Sequence, residues 1–217
     1  MDVSHVALDQ RRQPNTDWRS LIVISLAALV AAAFFVSVAL PYLALDPAMM
    51  ARYASRRLAI LIHVAAGGAA LLIGPVQLWL GVSGQTTAVH RRLGYTYVTS
   101  VAVGSAAAFY LAARTNLGWG FGAGITGLGV AWVVTTTLAV AAIRRGLIEQ
   151  HREWMIRSYV VTFAFVTFRA LWSMLDAAGI GTLQEQLAAS SWFCWAVPLL
   201  VTETILQGRK IRLARID

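Results

Sequence analysis

The sequence predicts an all-α fold: a polytopic membrane protein built as a bundle of six transmembrane helices, with both termini cytoplasmic. Three observations carry that prediction. Of 217 residues, 58% are hydrophobic and only 13% are charged, whereas soluble domains average about 45–50% and about 25%. The apolar residues gather into six runs, each long enough for a hydrocarbon core about 30 Å thick, which takes about 20 residues at a rise of about 1.5 Å. The basic residues fall mostly on one side of those runs.

The runs extend from Ser20 to Leu40, Leu58 to Leu80, Leu93 to Ala113, Trp119 to Ile143, Trp154 to Leu175 and Ala189 to Gln207. Each ends at charges, at Pro or Gly, or at tryptophan, whose amphipathic ring favours the membrane interface. Trp18, Trp79 and Trp154 mark one side and Trp119, Trp172 and Trp192 the other, with Trp132 alone at mid-depth. The first run is too long for the apolar part of a signal peptide and follows a long polar lead, so it reads as a retained helix. Connections are short and no internal repeat interrupts them. Residues 1–217 therefore read as one membrane domain with a polar amino-terminal tail (1–19) and a basic carboxy-terminal tail (208–217).

Orientation follows from the Lys/Arg excess of short cytoplasmic loops. Arg11, Arg12 and Arg19 precede the first run, and Arg91 and Arg92 fill the second connection. Arg144, Arg145, Arg152 and Arg157 surround the fourth connection, and Arg209, Lys210, Arg212 and Arg215 end the chain. Arg52, Arg56, Arg57 and Arg114 fall on the other side, and Arg169 lies inside the fifth run. The net charge of +8 is thus a topology signal and not a nucleic-acid footprint. The expected setting is a cell membrane, the bacterial inner membrane, with the lipid bilayer as partner. A single cysteine, Cys194, excludes an internal disulfide and cysteine-based zinc or iron–sulfur sites. The chain has no Walker loop, Gly-x-Ser-x-Gly elbow, His-Glu-x-x-His or Cys-x-x-Cys, so soluble-type hydrolase or nucleotide chemistry has no support.

Ionisable and strongly polar side chains inside a bilayer are costly and mark functional sites. At about 100° per residue, His63, Gly67, Ala70, Gly74 and Gln77 share one stripe of the second helix. Close helix packing explains the small residues of that stripe and leaves His63 and Gln77 over. On the fifth helix His151, Ser158, Thr162, Phe165, Arg169 and Asp176 share one face. Arg169 and His63 lie at similar depth. They approach one another or share an anionic ligand if their helices are neighbours; otherwise Arg169 snorkels outward or pairs with Asp176. The fourth helix presents Gly120, Gly124, Gly127 and Ala131 either to another helix or to a flat cofactor.

Two His-Arg segments open helices at the cytoplasmic side: His90-Arg91-Arg92-Leu93-Gly94-Tyr95, and His151-Arg152-Glu153-Trp154-Met155-Ile156-Arg157-Ser158. Two histidines facing each other across a bundle can ligate a haem iron axially while arginines neutralise the propionates. The alternatives are a metal site completed by Glu149, Glu153 or Glu203, and helix capping with contact to lipid headgroups.

The same segments carry a resemblance. His63 with Gly67 and then Gly74-Pro75-Val76-Gln77, His90 to Tyr97, and His151 to Tyr159 with Arg169 downstream resemble, over helices two to five, the predicted membrane proteins of domain of unknown function 2306 (DUF2306). That family name implies no activity. By helix position the histidines also resemble cytochrome b-561, a six-helix family whose histidines on helices two and four, and on three and five, bind two haems in transmembrane electron transfer. That resemblance implies haem b, with His90 and His151 as iron ligands, Arg91, Arg152 and Arg157 as propionate partners, and quinone or another redox partner. The fourth helix has no histidine, so His63 lacks the partner of an outer haem. The expected function is accordingly a b-type haem or quinone-linked redox protein with a polar centre lined by His63, Gln77, His90, Tyr97, His151, Arg157 and Arg169. The alternative is a non-catalytic transporter or lipid-binding protein in which His63 and Arg169 hold a small molecule or anion.

Overall fold

A computed structural model describes residues 18–85 and 87–214, so Arg11, Arg12, Arg215 and most of the amino-terminal tail lie outside the described residues. Among the described residues six helical stretches are long and apolar enough to cross a membrane: Trp18–Leu43, Ala54–Val82, Ala88–Ala113, Trp119–Arg144, Ile148–Ala177 and Leu183–Arg212. No strand occurs among the described residues. Each expected run lies within one of these stretches. The helices overrun the apolar runs because interfacial residues such as His90 to Arg92 and His151 to Glu153 keep helical backbone bonding after the side chains turn polar.

The first stretch comprises α1 (Trp18–Phe34), a π-helical segment (Phe35–Ala39) and α2 (Leu40–Leu43). The Leu40 amide reaches back to the Phe35 carbonyl, a register shift directly before Pro41, whose ring and missing N–H a regular helix does not accommodate. Asp46 caps the short α3 (Pro47–Ala51), its carboxylate accepting from the amides of Ala48 and Met49 at 2.9 and 3.2 Å. A 3-10 turn (Ala54–Arg56) leads into α4 (Arg57–Val82), followed by α5 (Ala88–Ala113) and α6 (Trp119–Arg144). The fifth stretch is divided: α7 (Ile148–Thr162) stops at Phe163 and α8 (Ala164–Ala177) resumes. A Thr182–Glu185 capping box starts α9, Leu183–Leu213. Helix therefore continues well into the expected basic tail.

Helix α4 lies along α5, α5 along α6, and α6 along α7 and α9, while α9 also meets α7 and α8; α1 lies on α4. The core contains Tyr97, Val101, Leu128, Trp132, Val161, Ala164 and Cys194. The glycine face of α6 is a packing face toward α9, where Gly120, Gly124 and Gly127 meet Ala188, Ser191 and Trp195. A Cβ on Gly124 would lie 2.8 Å from Ser191 Cβ, so only glycine permits this crossing.

Two membrane prolines are accommodated by the same device. Pro75 removes the amide that would bond the Leu71 carbonyl, and the Tyr159 hydroxyl donates to that carbonyl at 3.3 Å. Pro198 similarly frees the Cys194 carbonyl, which accepts from Thr167 Oγ1 at 2.9 Å. In an apolar medium an unpaired carbonyl has no water to turn to, so a neighbouring hydroxyl fills the gap.

Candidate functional site

Helices α5 and α7 both start at the basic end of the bundle, and each packs against α4 and α6. His90 precedes Tyr97, and His151 precedes Ser158, by the same two helical turns. Tyr97 Oη bonds Ser158 Oγ at 2.9 Å, so the two histidines open two helices that are tied together two turns further in. His151 Nδ1 lies 2.9 Å from the Ala139 carbonyl. A carbonyl only accepts, so Nδ1 carries a proton and Nε2 is the nitrogen left for another partner. His90 Nδ1 is buried without a hydrogen-bond partner among the described residues, while the His90 carbonyl accepts from Gln77 Nε2 at 3.0 Å. Gln77 thus ties α4 to the first turn of α5.

The arginines of this end differ in their commitments. Arg157 is buried; its Nε and Nη2 donate to Glu203 Oε2 at 2.7 and 2.6 Å, and its Nη1 lies 3.5 Å from Glu153. The Trp154 ring centroid is 4.6 Å from the Arg157 guanidinium carbon. Lys210 in turn pairs Glu153 at 2.8 Å. The group clamps α7 to α9. Arg152 is 3.6 Å from Glu149, and Arg91 is exposed at the rim. Among the described residues no three His, Cys, Asp or Glu side chains converge as a metal site would require.

Above this level a buried hydroxyl network joins α5, α6 and α7. Tyr97 Oη bonds Ser158 Oγ and Thr162 Oγ1 at 2.9 and 2.7 Å, and Thr136 Oγ1 bonds Ser158 Oγ at 2.7 Å. Trp132 Nε1 donates to Thr162 Oγ1 at 2.7 Å. The network ends where the fifth stretch breaks.

Toward the opposite end, between the first stretch and α4, α5, α6 and α8, lies a cavity of about 260 Å³. His63 and Arg169 both line it, with Tyr42, Arg52, Tyr53 and Arg56 nearby and Leu71, Leu128, Trp132, Phe165 and Phe168 forming much of the apolar wall. His63 Nδ1 donates to the Gly104 carbonyl at 3.0 Å, which leaves Nε2 as the lone-pair nitrogen. Phe165 meets the His63 ring edge-on at 5.2 Å. The Arg169 guanidinium lies 5.6 Å from the Trp172 ring centroid. Asp176 is not its partner, since the ion pairs among the described residues use Arg152, Arg157 and Lys210 as their cations.

The family model described as predicted membrane protein (DUF2306) matches residues 60–206. The chain belongs to this family. No curated protein and no solved structure matches it. The DUF2306 region contains all of the polar residues singled out from sequence, and the fold brings them together as two groups. Gln77, His90, Tyr97, His151 and Arg157 sit from the basic end to the centre, and His63 and Arg169 share the cavity. Sequence reasoning passed over the partners of Trp132 and the cavity role of Arg52 and Arg56. Trp132 gave a usable signal, because an indole N–H at mid-depth needs an acceptor. Arg52 and Arg56 precede the DUF2306 region and stood out only as exceptions to the charge bias.

Proposed function

We propose that this DUF2306 protein binds a small amphipathic molecule taken from the bilayer. The observation that carries the reading is that His63 and Arg169, on separate helices, line one cavity walled mainly by aliphatic and aromatic side chains. Ligand sites commonly combine such a wall with a few polar groups that orient the ligand. In this reading the basic end faces the cytoplasm and the cavity lies toward the other side, as the charge bias supports. The test is native mass spectrometry of detergent-purified protein for retained small molecules, together with thermal stability of wild type, His63→Ala and Arg169→Ala across a panel of amphiphiles. Wild type is expected to respond to at least one and both variants to lose that response. Identical behaviour of all three proteins overturns the reading.

A second reading rests on His90 and His151 lying in the first turns of α5 and α7, at the same end of the bundle. It assigns a b-type haem to the basic end, with a quinone or another redox partner in the cavity. The Nε2 left over on His151 and the unpartnered Nδ1 of His90 support it. When bound, haem supplies one-electron transfer; the protein would hold the imidazoles and balance the charge. Arg157 and Arg152 already face carboxylates, so the propionates would depend chiefly on Arg91. Protein made in haem-replete cells is expected to carry a Soret band that His90→Ala and His151→Ala abolish and His63→Ala keeps. A spectrum without that band ends this reading.

A further inference from the structure

We infer that the cavity selects an anionic amphiphile, with its charged head held by Arg52, Arg56 and Arg169 and its apolar chain laid inward past His63. The inference rests on the binding role proposed for the cavity and names the ligand class. Arg52 and Arg56 run against the positive-inside bias, which makes their position informative. Both line the cavity, as does Arg169, and Arg56 also donates to the Arg114 carbonyl. Tyr53 lines the same cavity as the three arginines. Tyr42 meets Tyr53 edge-on at 6.1 Å, and both rings line the cavity.

None of the three has a carboxylate within ion-pair distance among the described residues. Like charges gathered at the edge of an apolar medium repel, and an anion relieves that repulsion. Guanidinium groups are also well shaped to take carboxylate or phosphate oxygens bidentately. Below this group the lining residues of α4 run from Ile60 to Leu71, about 16 Å along the axis and close to the depth of one leaflet. Among the described lining residues the acidic or basic side chains are His63 and the three arginines alone. A cationic head is repelled at the mouth, and an uncharged one leaves the three guanidinium groups uncompensated. The head can belong to a bilayer lipid or to a free single-chain acid, and the two share one chemistry.

The test uses the full chain in phosphatidylcholine nanodiscs, titrated with dodecanoate, dodecanol, acetate and inorganic phosphate and read by thermal shift and native mass spectrometry. Dodecanoate is expected to act at concentrations about tenfold or more below dodecanol, with acetate and phosphate without effect. Arg52→Gln and Arg169→Gln are each expected to weaken dodecanoate about tenfold and leave dodecanol unchanged. The melting temperature without ligand serves as the folding control. Arg169→Glu is a second variant, expected to shift preference from dodecanoate toward dodecylamine. Competition by phosphatidylglycerol nanodiscs assigns the head to a bilayer lipid, and lack of competition assigns it to a free acid; both support an anionic head. Equal response to dodecanol and dodecanoate overturns the head assignment and leaves the cavity reading standing. Acetate or phosphate binding as tightly as dodecanoate overturns the chain placement, and no response to any chain overturns the cavity reading itself.

Discussion

The hydroxyl of Tyr159 donates to the carbonyl of Leu71 at 3.3 Å, the carbonyl that Pro75 leaves without its helical amide. Tyr159→Phe is therefore expected to cost about 1 kcal/mol, the scale of a hydrogen bond between membrane helices. Pro75→Ala in the same chain restores the backbone amide and should recover part of that loss. A double-mutant cycle of detergent unfolding measures the link, and strict additivity of the two substitutions disproves it.

Gly74 admits the Tyr159 ring, which a Cβ at that position would overlap. Gly74→Ala is expected to destabilise by about 1–3 kcal/mol through overpacking. Gly81 is the control, since nothing lies within 4 Å of its Cβ direction. A Gly74→Ala protein that melts with the Gly81→Ala protein would show that α4 and α7 are not in close contact.

Thr162 Oγ1 donates to the Ser158 carbonyl and accepts from Trp132 Nε1 and Tyr97 Oη. Thr162→Val removes that oxygen while keeping the shape, leaving a buried indole N–H unpaired at a cost of about 1–3 kcal/mol. The fluorescence difference between Thr162→Val and Thr162→Val/Trp132→Phe isolates the indole. An emission maximum for Trp132 that is the same with and without Thr162 contradicts the bond.

The Arg157–Glu203 pair joins α7 to α9, with Arg157 buried and the Glu203 side chain 42% exposed. Solvent screening at Glu203 limits the cost of Glu203→Gln to about 1 kcal/mol. Because carboxylates on two helices already neutralise Arg157, Arg157→Ala is expected to lower stability and leave ligand occupancy per folded molecule unchanged. Loss of occupancy at full stability would place Arg157 in a binding site instead.

Tyr159 and Arg157 also mark how far the sequence was legible. Both stand in the segment that opens the fifth span, and the helical phase of Ser158, Thr162, Phe165 and Arg169 was readable there. Their partners were not. Glu203 and Leu71 lie on helices distant in sequence, and a period of 3.6 residues gives the direction of a face without naming what it meets. The usual clue to the inward face was also weak, because lipid-facing and core-facing residues are both apolar. The division of the fifth span at Phe163 left no proline or glycine to announce it.

By itself the sequence determined the class, the number of spans and the polar residues that a bilayer would not tolerate without reason. The hydrocarbon slab imposes a length on each helix, and ionisable groups inside it are expensive, so both signals survive in one dimension. Only the tertiary structure decided that Gly124 serves packing, that Arg157 is neutralised, and that His63 and Arg169 line one cavity with Arg52 and Arg56. A cavity is the space that several helices fail to fill, and no single helix encodes it.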